Sequence, residues 1–162
     1  MRRMSLHVSQ ILFALTVAVT GASEAAEQGT TTGIVAFNAT GEVKNYGAGT
    51  MVWSGTFVGV SMTDSQKGPL HNSNWDCTGE VVIQEGIVHL SDGFCTVSDG
   101  DGDSINLYWQ RTDAPAPPDE PKTKGTYLSG TGKYEGIQGY YTFACRQSGS
   151  ICTVTSGEYA IP

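Results

Sequence analysis

Beyond residue 26, apolar and polar side chains alternate in short runs, and no window keeps the 3.6-residue period of a sustained amphipathic helix. Stretches rich in Val, Ile, Thr and aromatic residues close on Gly, Asp, Asn or Ser, the pattern of an all-β domain. Eight strands are predicted, at 33–43, 51–63, 75–84, 87–90 continued by 94–97, 104–112, 124–129, 137–146 and 152–159. Alternation is clearest at 104–111, where Ile105, Leu107 and Trp109 face one way and Asn106, Tyr108 and Gln110 the other.

The breaks carry their own information. Asp99-Gly100-Asp101-Gly102-Asp103 lies between two β runs and suits a hairpin that needs positive φ at its glycines. Residues 113–121 hold four of the six prolines and read as a stiff extended connector that joins two strands or crosses one end of the fold as a flap. Eight short antiparallel strands leave two architectures, a closed antiparallel eight-stranded barrel or a two-sheet β-sandwich. Composition does not choose between them.

The N-terminus has a different composition. Arg2 and Arg3 precede the apolar run Ile11–Val19, and small residues follow at Gly21, Ala22, Ser23 and Ala25. This is the layout of a signal peptide over residues 1–25, and the apolar run is too short to span a bilayer. A single domain, residues 26–162, is expected to follow, periplasmic or secreted, with no membrane anchor after cleavage. Four cysteines in that region, Cys77, Cys95, Cys145 and Cys152, read as two disulfides in an exported chain. The pairing Cys77–Cys95 with Cys145–Cys152 is favoured, because each pair then bridges neighbouring strands of one meander. No CxxC spacing occurs and no His lies close to a Cys, so no zinc site and no metal is predicted.

Loss of Arg2, Arg3 and Glu24 with the leader takes the formal charge from −7 to −8. Such a surface repels nucleic acid and anionic lipid and keeps an exported domain soluble.

The stretch Gly125-Thr126-Tyr127-Leu128-Ser129-Gly130-Thr131-Gly132-Lys133-Tyr134-Glu135-Gly136-Ile137-Gln138-Gly139 adds a family resemblance. It resembles the Gly-Thr-Gly-Lys-aromatic-x-Gly-Ile-x-Gly segment of calycin-like eight-stranded barrels of the allene oxide cyclase and dirigent type. Gly130 and Gly132 would permit a tight bend, and Gly136 and Gly139 would let the next strand coil around a small barrel. The resemblance implies a hydrophobic interior that binds or reshapes apolar small molecules. It covers residues 125–139 and is structural: neither family's catalytic residues can be placed on this chain. The signal peptide and cysteines look more like those of secreted bacterial relatives.

Catalytic constellations are missing from the sequence. Residues 26–162 contain His71 and His89, with no Gly-x-Ser-x-Gly elbow and no HExxH motif, so the catalytic residues are unknown and no cofactor is expected. Counted from Asp99, the sixth and twelfth positions of an EF-hand loop fall on Ser104 and Gln110, which fails that pattern. A non-EF calcium turn at Asp99, Asp101 and Asp103 and a solvated hairpin tip both stay open. The aromatics suggest more. Trp53, Phe57, Tyr108, Trp109, Tyr127, Tyr141 and Phe143 lie on several strands, and Arg111 shares the face of Trp109. Converging, they would bind a small hydrophobic ligand with one cation at the mouth; otherwise they fill a core.

Three functions follow from these readings. The first is a non-enzymatic barrel that binds a small hydrophobic molecule or is simply filled. The second is an isomerase or cyclase with Glu80, Glu135 or Tyr108 projecting into an open cavity. The third is an adhesion or assembly module, marked by an exposed aromatic patch or a long unpaired edge strand. Oligomeric state is not legible in the sequence.

Overall fold

The computed structural model describes residues 26–117, 122–146 and 150–162. The leader assigned to residues 1–25 and the end of the proline-rich connector lie outside the described residues. Strands are β1 Glu27–Thr30, β2 Gly33–Gly47, β3 Thr50–Thr63, β4 Ser73–Gln84, β5 Ile87–Ser98, β6 Ser104–Arg111, β7 Lys122–Gly130, β8 Gln138–Cys145 and β9 Ile151–Ile161.

Every pairing is antiparallel, and β2 to β8 follow one another as a meander. The ring closes through β9. One edge of β9 pairs with β8, and its other edge takes β2 at Val154–Ile151 and β1 at Ile161–Glu158. β1 and β2 together act as one interrupted strand, which leaves an eight-stranded ring. Its strands are not evenly disposed round the axis, so the closed ring is barrel-like with a sandwich-like cross-section.

All eight expected strands form. β1 was not expected: Glu-Gln-Gly-Thr has no apolar side chain, and the segment is held by backbone pairing to β9. The two pieces expected at 87–90 and 94–97 are one continuous strand.

The inward rows make one core, with Val35, Leu70, Trp75, Val97, Ile105, Leu107, Tyr127, Ile137 and Tyr141 almost fully buried. Both expected disulfides form between directly opposed residues, Cys77–Cys95 across β4 and β5 and Cys145–Cys152 across β8 and β9.

A belt of glycines sets the width of this interior. Cross-strand partners run Gly41–Gly55–Gly79–Gly93–Trp109–Gly125–Tyr141–Gly157 round the ring. These glycines matter because they lack a side chain, not because of any unusual backbone. A Cβ on Gly79 or Gly93 would lie 2.5 and 2.8 Å from the Trp109 indole, and one on Gly125 would lie 2.2 Å from the Tyr141 ring. Trp53 lies in the same way over Gly41 and Gly55. Large rings therefore lie flat on bare backbone.

Residues 64–72 close one end. Pro69 and Leu70 are buried there, Ser61 Oγ donates to the Leu70 carbonyl, and Trp75 Nε1 donates to Ser61 Oγ at 2.8 Å.

Candidate functional site

The half of the ring away from residues 64–72 is incompletely filled. A cavity of about 180 Å³ remains between Phe37, Phe57, Trp75, Val81, Trp109, Tyr141 and Phe143, with both disulfides in its wall. Trp75, Cys77, Cys95, Tyr141 and Cys152 are buried, while Phe37, Phe57 and Phe143 are half-buried and form the rim. The rings support one another edge-on: Phe37 on Trp75 at 5.6 Å, Phe57 on Trp109 at 5.9 Å and Trp75 on Tyr141 at 5.9 Å. Pockets for drug-sized ligands span roughly 300–1,000 Å³, whereas a dry apolar cavity of roughly 150 Å³ holds one benzene. The space suits a single ring.

Ser91, Thr123 and Tyr141 are its hydroxyl-bearing members, and among the described residues no carboxylate, histidine, lysine or arginine lines it. The Tyr141 hydroxyl is buried without a hydrogen-bond partner among the described residues, as is that of Tyr127, whose ring lies 5.9 Å away. Burial pushes the Tyr141 phenol well above its ordinary value, with Tyr127 adding to the shift. Burial likewise raises Tyr127, with the charge of Tyr159 adding to it.

No protein-family model matches the chain, and no curated protein matches it. A solved structure of a pterocarpan synthase dirigent protein is similar at a TM-score of 0.45, with 12% identity over 93% of this chain and 94% of that one. A likeness at this level decides neither family nor activity.

Of the aromatic set expected from the sequence, Phe57, Trp109, Tyr141 and Phe143 line the cavity together. Trp53 stands one ring back, 5.0 Å from Phe57, and Tyr127 packs behind Tyr141. Two placements are corrected. Tyr108 lies on the outer face, as the alternation of β6 requires; it donates to Asp92 at 2.8 Å and tilts against Phe94. That hydrogen bond, with some burial, raises its phenol pKa. Arg111 points inward but is engaged elsewhere: Nε and Nη2 bind the Asp113 carboxylate and Nη2 donates to Pro117 O at 2.7 Å. The Arg111 hydrogen bond in turn lowers the Asp113 carboxyl, against the opposing push of burial. The described part of the connector is thus held to β5 by the Val88–Ala116 bridge and to β6 by Arg111, whose guanidinium is not left as a free cation at a mouth.

Phe37, Trp75 and the two disulfides also wall the cavity and are not among the aromatic set expected from the sequence. Their signal was available, because Val35–Phe37 and Trp75–Cys77–Gly79–Val81 each keep the inward period of two. Glu80 and Glu135 are exposed, so with Tyr108 outside, none of the three acid–base candidates reaches the cavity. His89 is exposed, and His71 Nδ1 lies 3.0 Å from Thr63 Oγ1 in the closing loop.

The aspartate hairpin receives its cation from the chain itself. Lys133 Nζ lies 2.8 Å from Asp99 and 2.6 Å from Asp101, and Lys133 N donates to Asp103 at 3.3 Å. Burial would raise the Asp99 carboxyl, but hydrogen bonds from Lys133, Tyr134 and the backbone outweigh it and hold the group at about 2. Among the described residues no group of three or more His, Cys, Asp or Glu converges as a metal site would require. Gly132, at φ +54°, makes this contact feasible, since a Cβ there would meet Asp103 Oδ1 at 1.9 Å. The Gly-Thr-Gly-Lys segment therefore clamps the β5–β6 hairpin. A wider polar recess of about 400 Å³ beside it is lined by Lys67, His71, Asp99, Asp101 and Lys133 among others.

Proposed function

We propose that this is a non-enzymatic exported barrel protein that holds one small apolar molecule, about the size of a single aromatic ring, in the cavity between Phe37, Phe57, Trp109 and Phe143. The observation that carries the reading is a cavity of about 180 Å³ walled by aromatic rings and disulfides, with hydroxyls as its polar lining. Apolar walls favour transfer of apolar surface from water into this space. Proton-transfer chemistry needs a positioned acid or base, and none of the lining side chains titrates near neutrality. Export is supported by two disulfides, which persist in oxidising compartments. Among the described residues, no helix is long and apolar enough to cross a membrane.

Titration of the purified protein with benzene, p-cresol and indole, followed by NMR of the aromatic protons, tests the reading. Saturable one-to-one shifts of the Phe57, Trp109 and Phe143 signals are expected. Shifts that never saturate, or that are no smaller in Val81→Trp, would remove it.

A further inference from the structure

β2 is longer than its neighbour on one side. It pairs with β3 as far as Gly47 but with β9 only over Gly33–Ala36, followed by a last backbone bond from Phe37 N–H to Ser150 O at 2.8 Å. From Asn38 to Gly47 no strand among the described residues lies against the outer edge of β2, and every residue of that stretch is exposed. Val43 and Tyr46 stand at 62% and 68% exposure.

The Phe37 bond fixes the phase of this edge. In a strand whose other edge is paired antiparallel, alternate residues turn their N–H and C=O outward, so Ala39, Gly41, Val43 and Asn45 present theirs to the open side. Natural edges are commonly blunted by proline, by bulges or by charged side chains, lysine above all, that meet no opposite charge on a neighbour. Along 38–46 there is no proline, and the register shift of β2 falls only at its tip, between Asn45 and Gly47. Glu42 and Lys44 flank Val43 on the outer face, and neither has an ion pair among the described residues.

We propose that this edge pairs with the same edge of a second copy, antiparallel, about a two-fold axis through Val43. That register sets each Glu42 opposite the other copy's Lys44, and each Gly41 opposite the other copy's Asn45. It also sets Val43 against Val43 as a hydrogen-bonded pair, on the inner face beside Trp53, to which Val43 is already matched across β3. Neighbouring registers are disfavoured by charge. An axis through residue 42 opposes two glutamates, and an axis through residue 44 opposes two lysines. Registers that pair odd with even residues put outward-facing N–H groups against residues turned the other way. The contact is isologous, so it closes at two copies instead of growing into a fibre.

Sedimentation velocity on the purified protein over a wide concentration range, with variants at this edge, tests the proposal. The unsubstituted protein is expected to dimerise. Glu42→Lys and Lys44→Glu each oppose like charges and should weaken the dimer at least tenfold, while the two changes together restore it. Val43→Pro removes an N–H that points away from β3, so it should abolish the dimer and leave the far-ultraviolet spectrum of the monomer unchanged. A protein that stays monomeric at its highest soluble concentration overturns the proposal. So does an oligomer that ignores all four variants, because it would be built on another surface.

Discussion

Lys133 Nζ sits 2.8 Å from Asp99 and joins two hairpins that are far apart in sequence. The carboxylate is nearly buried while the lysine side chain is about half exposed, at 47%, so the pair is screened on one side only. Asp99, held at about 2, has a folded value below its unfolded one near 3.8. Its stabilisation is therefore present above about pH 4 and disappears as pH falls through about 2. Lys133→Met should raise the Asp99 pKa toward the ordinary carboxylate range in a carboxyl NMR titration. At pH 7 it should cost about 1 kcal/mol, after allowance for solvent screening. The difference between variant and parent should close in urea melts near pH 2.

The glycine belt makes a sharper prediction about stability. Gly125→Ala drives a methyl into the buried Tyr141 ring, whereas a Cβ on Gly100 meets nothing within 4 Å. Overpacking of a core costs about 1–3 kcal/mol, and a surface change stays within about 0.5 kcal/mol. Guanidinium denaturation should separate the two alanine variants by that margin. Equal midpoints would mean that the Tyr141 ring moves aside at no cost.

Strand positions and the cysteine pairing were legible in the sequence because period two and paired spacing are local signals. Phe57, Trp109, Tyr141 and Phe143 were assigned to one interior by the same signal, and the structure brings them together. The belt was not legible. Whether Gly41, Gly55, Gly79 and Gly93 share a row depends on register, which a single strand does not encode. Arg111 shows the complementary failure: its face is right, but its partners Asp113 and Pro117 lie in the connector, beyond the reach of a periodicity argument. Lys133 looked like part of a turn motif because its carboxylate partners are 34 and 32 residues earlier.

The two disulfides should differ in their contribution. Cys77–Cys95 closes a loop of 18 residues' separation and Cys145–Cys152 one of 7. Chain-entropy scaling gives about 3 kcal/mol for the first and about 2.5 kcal/mol for the second. Double alanine variants, Cys77→Ala with Cys95→Ala and Cys145→Ala with Cys152→Ala, should be destabilised in that order in denaturant melts. Both should also enlarge the cavity, because both bridges stand in its wall.

The Tyr141 hydroxyl makes a further prediction about stability. It is buried and has no partner among the described residues, so it lost its hydrogen bonds to water without replacement. Tyr141→Phe removes that orphan and keeps the ring that packs on Trp75 and Phe143. The empty protein should therefore melt no earlier, and by up to about 1 kcal/mol later, than the parent. At alkaline pH the sign is fixed as well. Burial holds the folded phenol un-ionised above its ordinary value near 10, so the unfolded chain releases the proton first and stability falls as pH rises past 10. The phenylalanine variant should lose less stability over that range. Because the hydroxyl is shielded from the cavity, benzene and p-cresol should each bind parent and variant alike. If the variant is less stable when empty, the hydroxyl has a partner in solution.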